Sequence, residues 1–439
     1  MKNSIKSQQE ILEKLNIYSL NPMQEEALEV IKKNENTILL SPTGTGKTLA
    51  FLLPLLERLD PNNKEVQALI VVPSRELAMQ TEHVIRNMGT GYKVNAIYGG
   101  RAISKDKIEL KHTPAILIGT PGRLADHLEQ GRFSTKEIKT LIIDEFDITI
   151  DISIGGEMKT IMSHLKQVSK RVLISATKGT SIPSYLNMDK HVTLNFIKEK
   201  KDQTPSKLLV KTVISKSKNK HNTLVALLNH IGSGACIVFC NTKERIEDLS
   251  RFLDKKSIGH TCFHSGMEQR DRERALIKLK NGSVSILIAS DMASRGIDIP
   301  EMKYIIHYEI PAAIQEYTHR NGRTARVNSK GTAYLIKGFK EVIPEFIGKS
   351  KVEILSDGSR KPLFWTTLFI SGGRKDKISK GDIAGLFFKQ GGINKDQLGT
   401  IDLKNDCAFV AVPISIADAL IGKLNNSRLK KKKVRVTII

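Results

Sequence analysis

The chain has 439 residues, of which 40% are hydrophobic and 26% charged; this is too long for one ordinary core, suits about three domains and fits a globular rather than a disordered chain. Lys and Arg exceed Asp and Glu by 69 − 46 = 23, so a polyanion is the expected partner, with nucleic acid ahead of an anionic membrane surface or a simple solubility charge. The N-terminal MKNSIKSQQE lacks the apolar stretch of a secretory signal, no uninterrupted apolar run is long enough to span a bilayer, and Cys236, Cys240, Cys262 and Cys407 show neither a C-x-x-C pair nor matching His spacing, so a cytoplasmic protein with reduced thiols and no zinc site is expected.

Short β-branched runs lead the chain: residues 37–40, 68–72, 115–118, 140–143 and 171–174. Each precedes a turn and a polar–apolar helical stretch, which predicts a parallel sheet covered by helices on both faces. Ser41-Pro-Thr-Gly-Thr-Gly-Lys-Thr48 follows the first of these strands and opens a helix, the context that a phosphate-binding loop requires. Gly44 and Gly46, which alternate with Thr43 and Thr45, let backbone N–H groups approach phosphate oxygens, and the helix N-terminus adds partial positive charge. Lys47 reaches the β- and γ-phosphates, and Thr48 is a ligand for Mg²⁺. Further on, residues 141–147 end an apolar strand in Asp144 and Glu145. Asp144 can hold Mg²⁺ through its water shell, and Glu145 can orient and deprotonate an attacking water; alone, such a pair also suits a helix cap.

A Lys-rich polar stretch at 198–220 reads as a division near residue 205. The strand pattern then restarts at 235–239, 285–289, 304–307 and 332–336. After residue 350 it changes. Residues 357–362 read as a linker, strands are expected at 366–370, 401–403, 409–412 and 434–438, and helices at 379–388 and 416–424. The domain boundaries expected are 1–205, 206–350, a linker at 351–363, and a small α+β unit at 364–439. Residues 351–439 carry 17 Lys and Arg against 8 Asp and Glu, a net of 17 − 8 = +9 in 89 residues, while the other 350 carry 23 − 9 = +14. The denser charge favours an RNA-docking role for the tail.

Together these residues resemble the DEAD-box family of RNA helicases over most of the first 330 positions. Asn21-Pro-Met-Gln24, Pro73-Ser-Arg-Glu-Leu-Ala-Met-Gln80, Gly99-Gly100, Thr120-Pro-Gly-Arg123, Asp144-Glu-Phe-Asp147 and Ser175-Ala-Thr177 stand in the family's order. Ser290-Asp-Met-Ala-Ser-Arg-Gly-Ile-Asp298 and His319-Arg-Asn-Gly-Arg-Thr-Ala-Arg326 follow. The resemblance implies two RecA-like domains that bind ATP, Mg²⁺ and single-stranded RNA, with closure coupled to hydrolysis and local opening of short RNA helices. It assigns adenine to Gln24, the ribose to Asp298, and the γ-phosphate to Arg323 and Arg326 as arginine fingers. RNA contacts are assigned to Arg75, Gly100, Arg101, Thr120, Arg123, His264, Arg272 and Ser290. Phe146, Asn321 and Ala325 depart from the pattern. Ser7 stands where an adenine-stacking aromatic is expected, leaving Ile5 and Ile11 to cover the ring.

The tail resembles an RNA-recognition fold, so the fold class expected is α/β, two RecA-like parallel-sheet domains followed by a small RNA-recognition-like α+β domain. Phe369 and Phe409 read equally as base-stacking or as core. The run from Leu368 to Gly385, with Gly392, Gly399 and residues 430–435, resembles the RNA-binding domain of the DbpA type, which docks on a hairpin of large-subunit ribosomal RNA. Arg374, Lys375, Lys377 and Lys380 form a basic loop suited to phosphate, and Lys430–Lys433 a second contact. The resulting expectation is a monomeric, RNA-stimulated ATPase and RNA helicase acting on structured ribosomal RNA, away from any membrane. The alternatives are an RNA clamp with little hydrolysis and a DNA helicase.

Overall fold

An unbroken apolar run of four residues can be buried only when both faces of its strand are covered. The structure, a computed structural model, describes residues 5–151, 153, 156–197, 208–217, 219–291, 302–324 and 330–439. The chain divides near residue 206 into two compact units. In the first, seven parallel strands, β1 (Asn36–Leu40), β2 (Ala68–Val71), β3 (Val94–Ile97), β4 (Ile116–Gly119), β5 (Thr140–Ile143), β6 (Lys170–Ser175) and β7 (Val192–Asn195), lie in the order β3-β4-β2-β5-β6-β1-β7. The helices are α1 (Gln8–Lys14), α2 (Pro22–Lys33), α3 (Lys47–Leu56), α4 (Arg75–Met88), α5 (Ile103–Leu110), α6 (Pro121–Glu129), α7 (Phe146–Asp151) and α8 (Glu157–His164). Side chains alternate along each strand, so Ala68 and Ile70 of β2 enter the core with Phe51 and Leu52 of α3, while Leu69 and Val71 enter the one with Leu124 of α6 and Met158 of α8.

Local chemistry sets the helix starts. Asn21 and Gln24 exchange backbone and side-chain hydrogen bonds in a capping box at α2, with Pro22 in the first turn. Ser74 Oγ accepts the Leu77 N–H at the start of α4. The buried Lys170 amino group donates to the carbonyls of Ile31, Lys32 and Asn34, which ties β6 to the end of α2.

The second unit repeats the design. Its parallel strands β8 (Leu208–Ile214), β9 (Cys236–Phe239), β10 (Thr261–Phe263), β11 (Ile286–Ala289), β12 (Tyr304–His307), β13 (Gly331–Lys337) and β14 (Lys351–Val352) run β10-β11-β9-β12-β13-β8-β14. Helices α9 (His221–Ile231), α10 (Lys243–Lys255), α11 (Gln269–Lys280) and α12 (Ile314–Asn321) accompany them. The Lys-rich stretch that reads as a plain division contains β8, a strand with a mostly half-buried surface next to the short edge strand β14. Cys236 and Cys240 are fully buried, and burial pushes both thiols up, Cys236 to about 12. They are inert core groups.

The same unit carries a four-stranded antiparallel sheet. It is built from β15 (Trp365–Ile370), β16 (Ile401–Leu403), β17 (Ala408–Pro413) and β20 (Val436–Ile438) in the order β16-β17-β15-β20, with helices α13 (Lys380–Lys389) and α14 (Ala417–Leu424) and a small hairpin of β18 (Arg428–Leu429) and β19 (Lys432–Lys433). Leu368, Ile370, Val410 and Val412 face Ile383 and Phe387 of α13 and Leu420 and Leu424 of α14. Alternation puts Thr367, Phe369, Phe409 and Ala411 on the other face. That face is docked against the end of α11. The fully buried Thr367 hydroxyl accepts from Asn281 Nδ2 at 3.1 Å and shares a hydrogen bond with Ser283 Oγ at 2.6 Å. Residues 353–361, read from sequence as linker, are likewise pinned: Glu353 to Lys211 at 2.8 Å, Arg360 to Ser285 at 2.6 Å, and Lys361 N–H to Ser233 Oγ at 2.9 Å.

Thr367→Val keeps the shape but leaves the Asn281 amide and Ser283 hydroxyl without their partner, at about 1–3 kcal/mol. Thr367→Lys should undock the small domain altogether. Limited proteolysis between residues 353 and 364 checks this, and an unchanged cleavage rate in the lysine variant would show that the contact does not hold the domain.

Candidate functional site

The phosphate loop runs between β1 and α3 because its backbone takes turns that only glycine accepts readily: φ is 79° at Gly44 and 85° at Gly46. Gly46 is needed twice over, since a Cβ there would lie 2.4 Å from Gln24 Nε2. Lys47 Nζ donates to the carbonyls of Ser41 at 2.7 Å and Pro42 at 2.9 Å. Ser41 Oγ and Thr45 Oγ1 are 2.8 Å apart. Thr43 belongs to the same loop, and Thr48 lies in the first turn of α3. Gln24 Nε2 donates to the Gly46 carbonyl at 3.2 Å, and Asn21 Nδ2 to the Thr45 carbonyl at 3.0 Å. The expected adenine-reading residue is thus brought to the phosphate loop, with Asn21 beside it. Ile11, one expected substitute for the stacking aromatic, is a core residue instead. Ile5, the other, lines a cavity of about 310 Å³ with Leu53, Leu56 and Tyr92, at the far end of α3 from the phosphate loop.

Asp144 and Glu145 follow β5 directly. Glu145 has φ 46°, a left-handed conformation unusual for a non-glycine residue and costing roughly 1–3 kcal/mol. It is held by its own N–H to Asp144 Oδ1 at 2.9 Å and by its carbonyl, which accepts the N–H groups of Ile148 and Thr149. The strain aims Glu145 differently from a continuing strand. Burial, then the Glu145 charge, pushes the Asp144 carboxyl up to about 7, against the pull of Lys47. Asp147 Oδ2 accepts from Thr177 Oγ1 at 2.5 Å, which ties the turn after β5 to the Ser-Ala-Thr segment, while Ser175 O accepts the Ser41 N–H at 3.0 Å. Phe146 sits 3% exposed in the core on the α6–α8 side of the sheet, so its ring leaves this arrangement undisturbed. The buried Asp144 carboxyl, within electrostatic reach of Lys47 on the phosphate loop, and the buried, unpartnered Glu145 Oε2 offer oxygen donors of the kind that fits Mg²⁺.

Arg75, Gly100, Arg101, Thr120 and Arg123 gather at the carboxyl ends of β3 and β4. The Arg75 guanidinium lies so close over Gly100 that a Cβ there would be 2.1 Å from its Nη1. Thr120 N–H donates to the Ile97 carbonyl at 3.3 Å, just ahead of α6. Arg101 and Arg123, expected on RNA phosphates, bond protein groups. Arg101 Nε is 2.7 Å from Asp106 Oδ1, and its Nη2 is 2.8 Å from Glu109. Arg123 Nη2 donates to the Arg101 carbonyl at 2.6 Å, and its Nε to the Tyr98 carbonyl at 3.2 Å. The fully buried Asp106 responsible for this escapes a sequence reading, because an isolated Asp in a helix looks like a solvated residue.

In the second unit, His264 is buried, and that burial lowers its pKa from the ordinary imidazole value. The buried Arg272 guanidinium lies 4.8 Å from the centre of the Phe263 ring. Ser290 follows β11, its N–H donating to the Phe263 carbonyl at 3.3 Å. Arg323 follows α12 and is 6% exposed. Asp298 and Arg326 lie outside the described residues. A second residue missed by the sequence reading is Arg320. Buried, it forks onto Asp291 at 2.6 and 2.5 Å, reaches Asn241 Oδ1 at 2.8 Å and the Glu309 carbonyl at 2.7 Å, and thereby ties the Ser290-Asp291 turn to α12.

In the small domain, the exposed Arg374, Lys375, Lys377 and Lys380 adjoin the β18–β19 hairpin. Lys430 Nζ lies 2.6 Å from the Lys377 carbonyl and 2.8 Å from Asp382, and Lys432 Nζ is 2.7 Å from Asp376. Lys430 and Ser379 hold the Asp382 carboxyl down at about 2. These pairs join the two expected basic segments into one surface, with Lys431 and Lys433 left exposed on it. The Phe369 and Phe409 rings are 5.7 Å apart on the docked face, and Phe409 is 5% exposed.

Family models describe residues 21–183 as a DEAD/DEAH box helicase, 219–328 as a helicase conserved C-terminal domain and 367–438 as a DbpA RNA binding domain. The chain is 30% identical to the ATP-dependent RNA helicase DbpA of Bacillus subtilis (strain 168), over 97% of this chain and 96% of the relative. It is 29% identical to DbpA of Escherichia coli (strain K12), over 98% and 96%. Among solved structures it is similar to S. cerevisiae Dbp5 bound to RNA and ADP BeF3, with a TM-score of 0.69, 25% identity, and coverage of 78% of this chain and 93% of that one.

The folded chain keeps the Asp144 proton up to about pH 7, whereas an unperturbed aspartic acid releases it near 3.8. Between these values the fold binds a proton that the unfolded chain has released, so stability without ligands falls as pH rises through this window. A cation needs the ionised form. Nucleotide affinity in Mg²⁺ should therefore fall by up to about tenfold per pH unit below 7, and Asp144→Asn should remove this dependence while weakening binding. Titration calorimetry at stepped pH checks both.

Proposed function

The chain belongs to the DEAD-box family and is an ATP-dependent RNA helicase, and from that premise we propose that it opens structured ribosomal RNA during assembly of the large ribosomal subunit. The observation that carries this reading is the single basic surface of the small domain, built from residues 374–380 and the β18–β19 hairpin and docked with its domain onto the second motor part. The DbpA-type RNA-binding domain supports the ribosomal target. Because the sheet face with Phe369 and Phe409 is turned to Asn281 and Ser283, the exposed basic surface takes the RNA and its contacts are to phosphate.

In the motor, Lys47 leaves the Ser41 and Pro42 carbonyls for the β- and γ-phosphates, and Gln24 reads adenine. Thr48 and Asp144 are the residues that would hold Mg²⁺, which neutralises phosphate charge when bound. Glu145 takes the proton of the attacking water. Arg323, with Arg326, offsets charge spreading over the γ-phosphoryl group, and Asp298 meets the ribose. Arg75, Gly100, Thr120, His264, Arg272 and Ser290 line the path of one RNA strand. The protein acts as a monomer in the cytoplasm; among the described residues, no helix is long and apolar enough to cross a membrane. Hydrolysis is favoured over a passive clamp because Phe146 is absorbed into the core while the Asp147–Thr177 bond stays in place.

Steady-state ATP hydrolysis without RNA, with generic RNA, with large-subunit ribosomal RNA and with single-stranded DNA tests the target. Stimulation chiefly by ribosomal RNA is expected, and equal stimulation by generic RNA would remove the ribosomal assignment. Glu145→Gln should cut hydrolysis roughly a hundredfold or more and trap nucleotide-bound enzyme on RNA. Lys375→Ala, Lys377→Ala and Lys380→Ala combined should abolish the preference for ribosomal RNA while generic RNA still stimulates.

A further inference from the structure

Arg101 and Arg123 stand in the two loops of the first unit that this functional reading places on RNA, yet their guanidinium groups point into the protein. What they share is Asp106, in the first turns of α5. Its carboxylate is fully buried, with Oδ1 2.7 Å from Arg101 Nε, and Oδ2 3.5 Å from Arg123 Nε and 3.1 Å from Nε2 of the equally buried His127. Arg123 in turn grips the carbonyls of Tyr98 and Arg101. One carboxylate thus links three elements: the loop after β3, helix α5 and the first turns of α6. A buried carboxylate is stable only with partners of this kind, and buried guanidinium groups need it equally.

We infer that Asp106 is a positioning residue for RNA binding: by holding Arg101 and Arg123 inside the unit, it sets the spacing between the Gly99-Gly100 turn, on which Arg75 rests, and the N-terminus of α6. Those two backbone segments, together with Arg75, are what meets successive phosphates. Phosphates along a strand have a fixed separation, so a shift of either loop costs affinity without touching the chemistry of hydrolysis. Arg101 and Arg123 serve the grip from behind rather than as phosphate ligands. The ATP loop is built from other elements, β1 and α3, and is not part of this network.

The inference rests on the RNA-helicase reading, and its test separates the two. Asp106→Asn keeps the shape and loses the charge. Arg101→Leu combined with Asp106→Leu removes the closest buried ion pair together, while Arg123 keeps its bonds to the Tyr98 and Arg101 carbonyls. Binding of a fluorescein-labelled oligouridylate should weaken about tenfold in both full-length variants. The half-saturating RNA concentration in the ATPase assay should rise in parallel, with kcat at saturating RNA and nucleotide affinity within about twofold of wild type. Wild-type oligouridylate affinity in both variants would overturn the positioning role. So would an equal loss of nucleotide binding and thermal stability in the double variant, which would mark the network as general scaffolding. A wild-type protein that binds oligouridylate but is stimulated by no RNA would overturn the helicase reading and leave the role of Asp106 standing.

Discussion

A charged side chain in an apolar α/β fold must bring its partner with it, and the working parts of this protein are arranged around that requirement. The sheets are covered on both faces, so charge collects at the carboxyl ends of strands, where loops and helix starts offer backbone groups. Lys47 rests on two carbonyls of its own loop. Asp147 rests on Thr177, Arg320 on Asp291, and Arg101 and Arg123 on Asp106. The Asp147–Thr177, Arg320–Asp291 and Arg123–Asp106 pairs join separate elements, so each also fixes the position of one segment against another. Satisfying buried charge and assembling the site are the same act.

Asp144 and Glu145 show the opposite use of burial. Here a carboxyl is buried first and then set beside the Glu145 charge, and the result is a carboxyl that stays protonated up to about 7. Such a group is poised for a cation, because metal binding relieves the repulsion that the fold has built in. The left-handed backbone at Glu145 belongs to the same arrangement, since strain at a strand end persists only where surrounding bonds over-determine it.

The small domain meets a different constraint. An antiparallel sheet with helices on one face leaves the other face uncovered. Two aromatic rings on such a face suit stacking on bases, yet they also suit burial, and nothing local in Phe369 or Phe409 distinguishes the two. Thr367 on the same face hydrogen-bonds to Asn281 and Ser283 and the segment from Glu353 to Lys361 is pinned, so that part of the face is docked, while Phe369 stays half-exposed. The lysine-rich edge beside it is left exposed.

Much of this was legible from sequence alone. The doubly buried strands announced themselves as unbroken β-branched runs, and the phosphate loop by glycines that need positive φ beside a lysine at a helix start. The small domain's helix α13 was expected within a residue of its true ends. These signals are local, because backbone conformation and periodicity are written in neighbouring residues. Strands such as β3 and β10, short or broken by polar residues, gave no such signal, and β8 was hidden among lysines. Only the tertiary structure decided that Arg101 and Arg123 turn inward, that Ile11 is core rather than an adenine cover, and that Asp106 and Arg320 organise their units. A side chain's partner is set by which elements the fold brings within 3 Å or so, a distance that packing determines and sequence spacing does not encode.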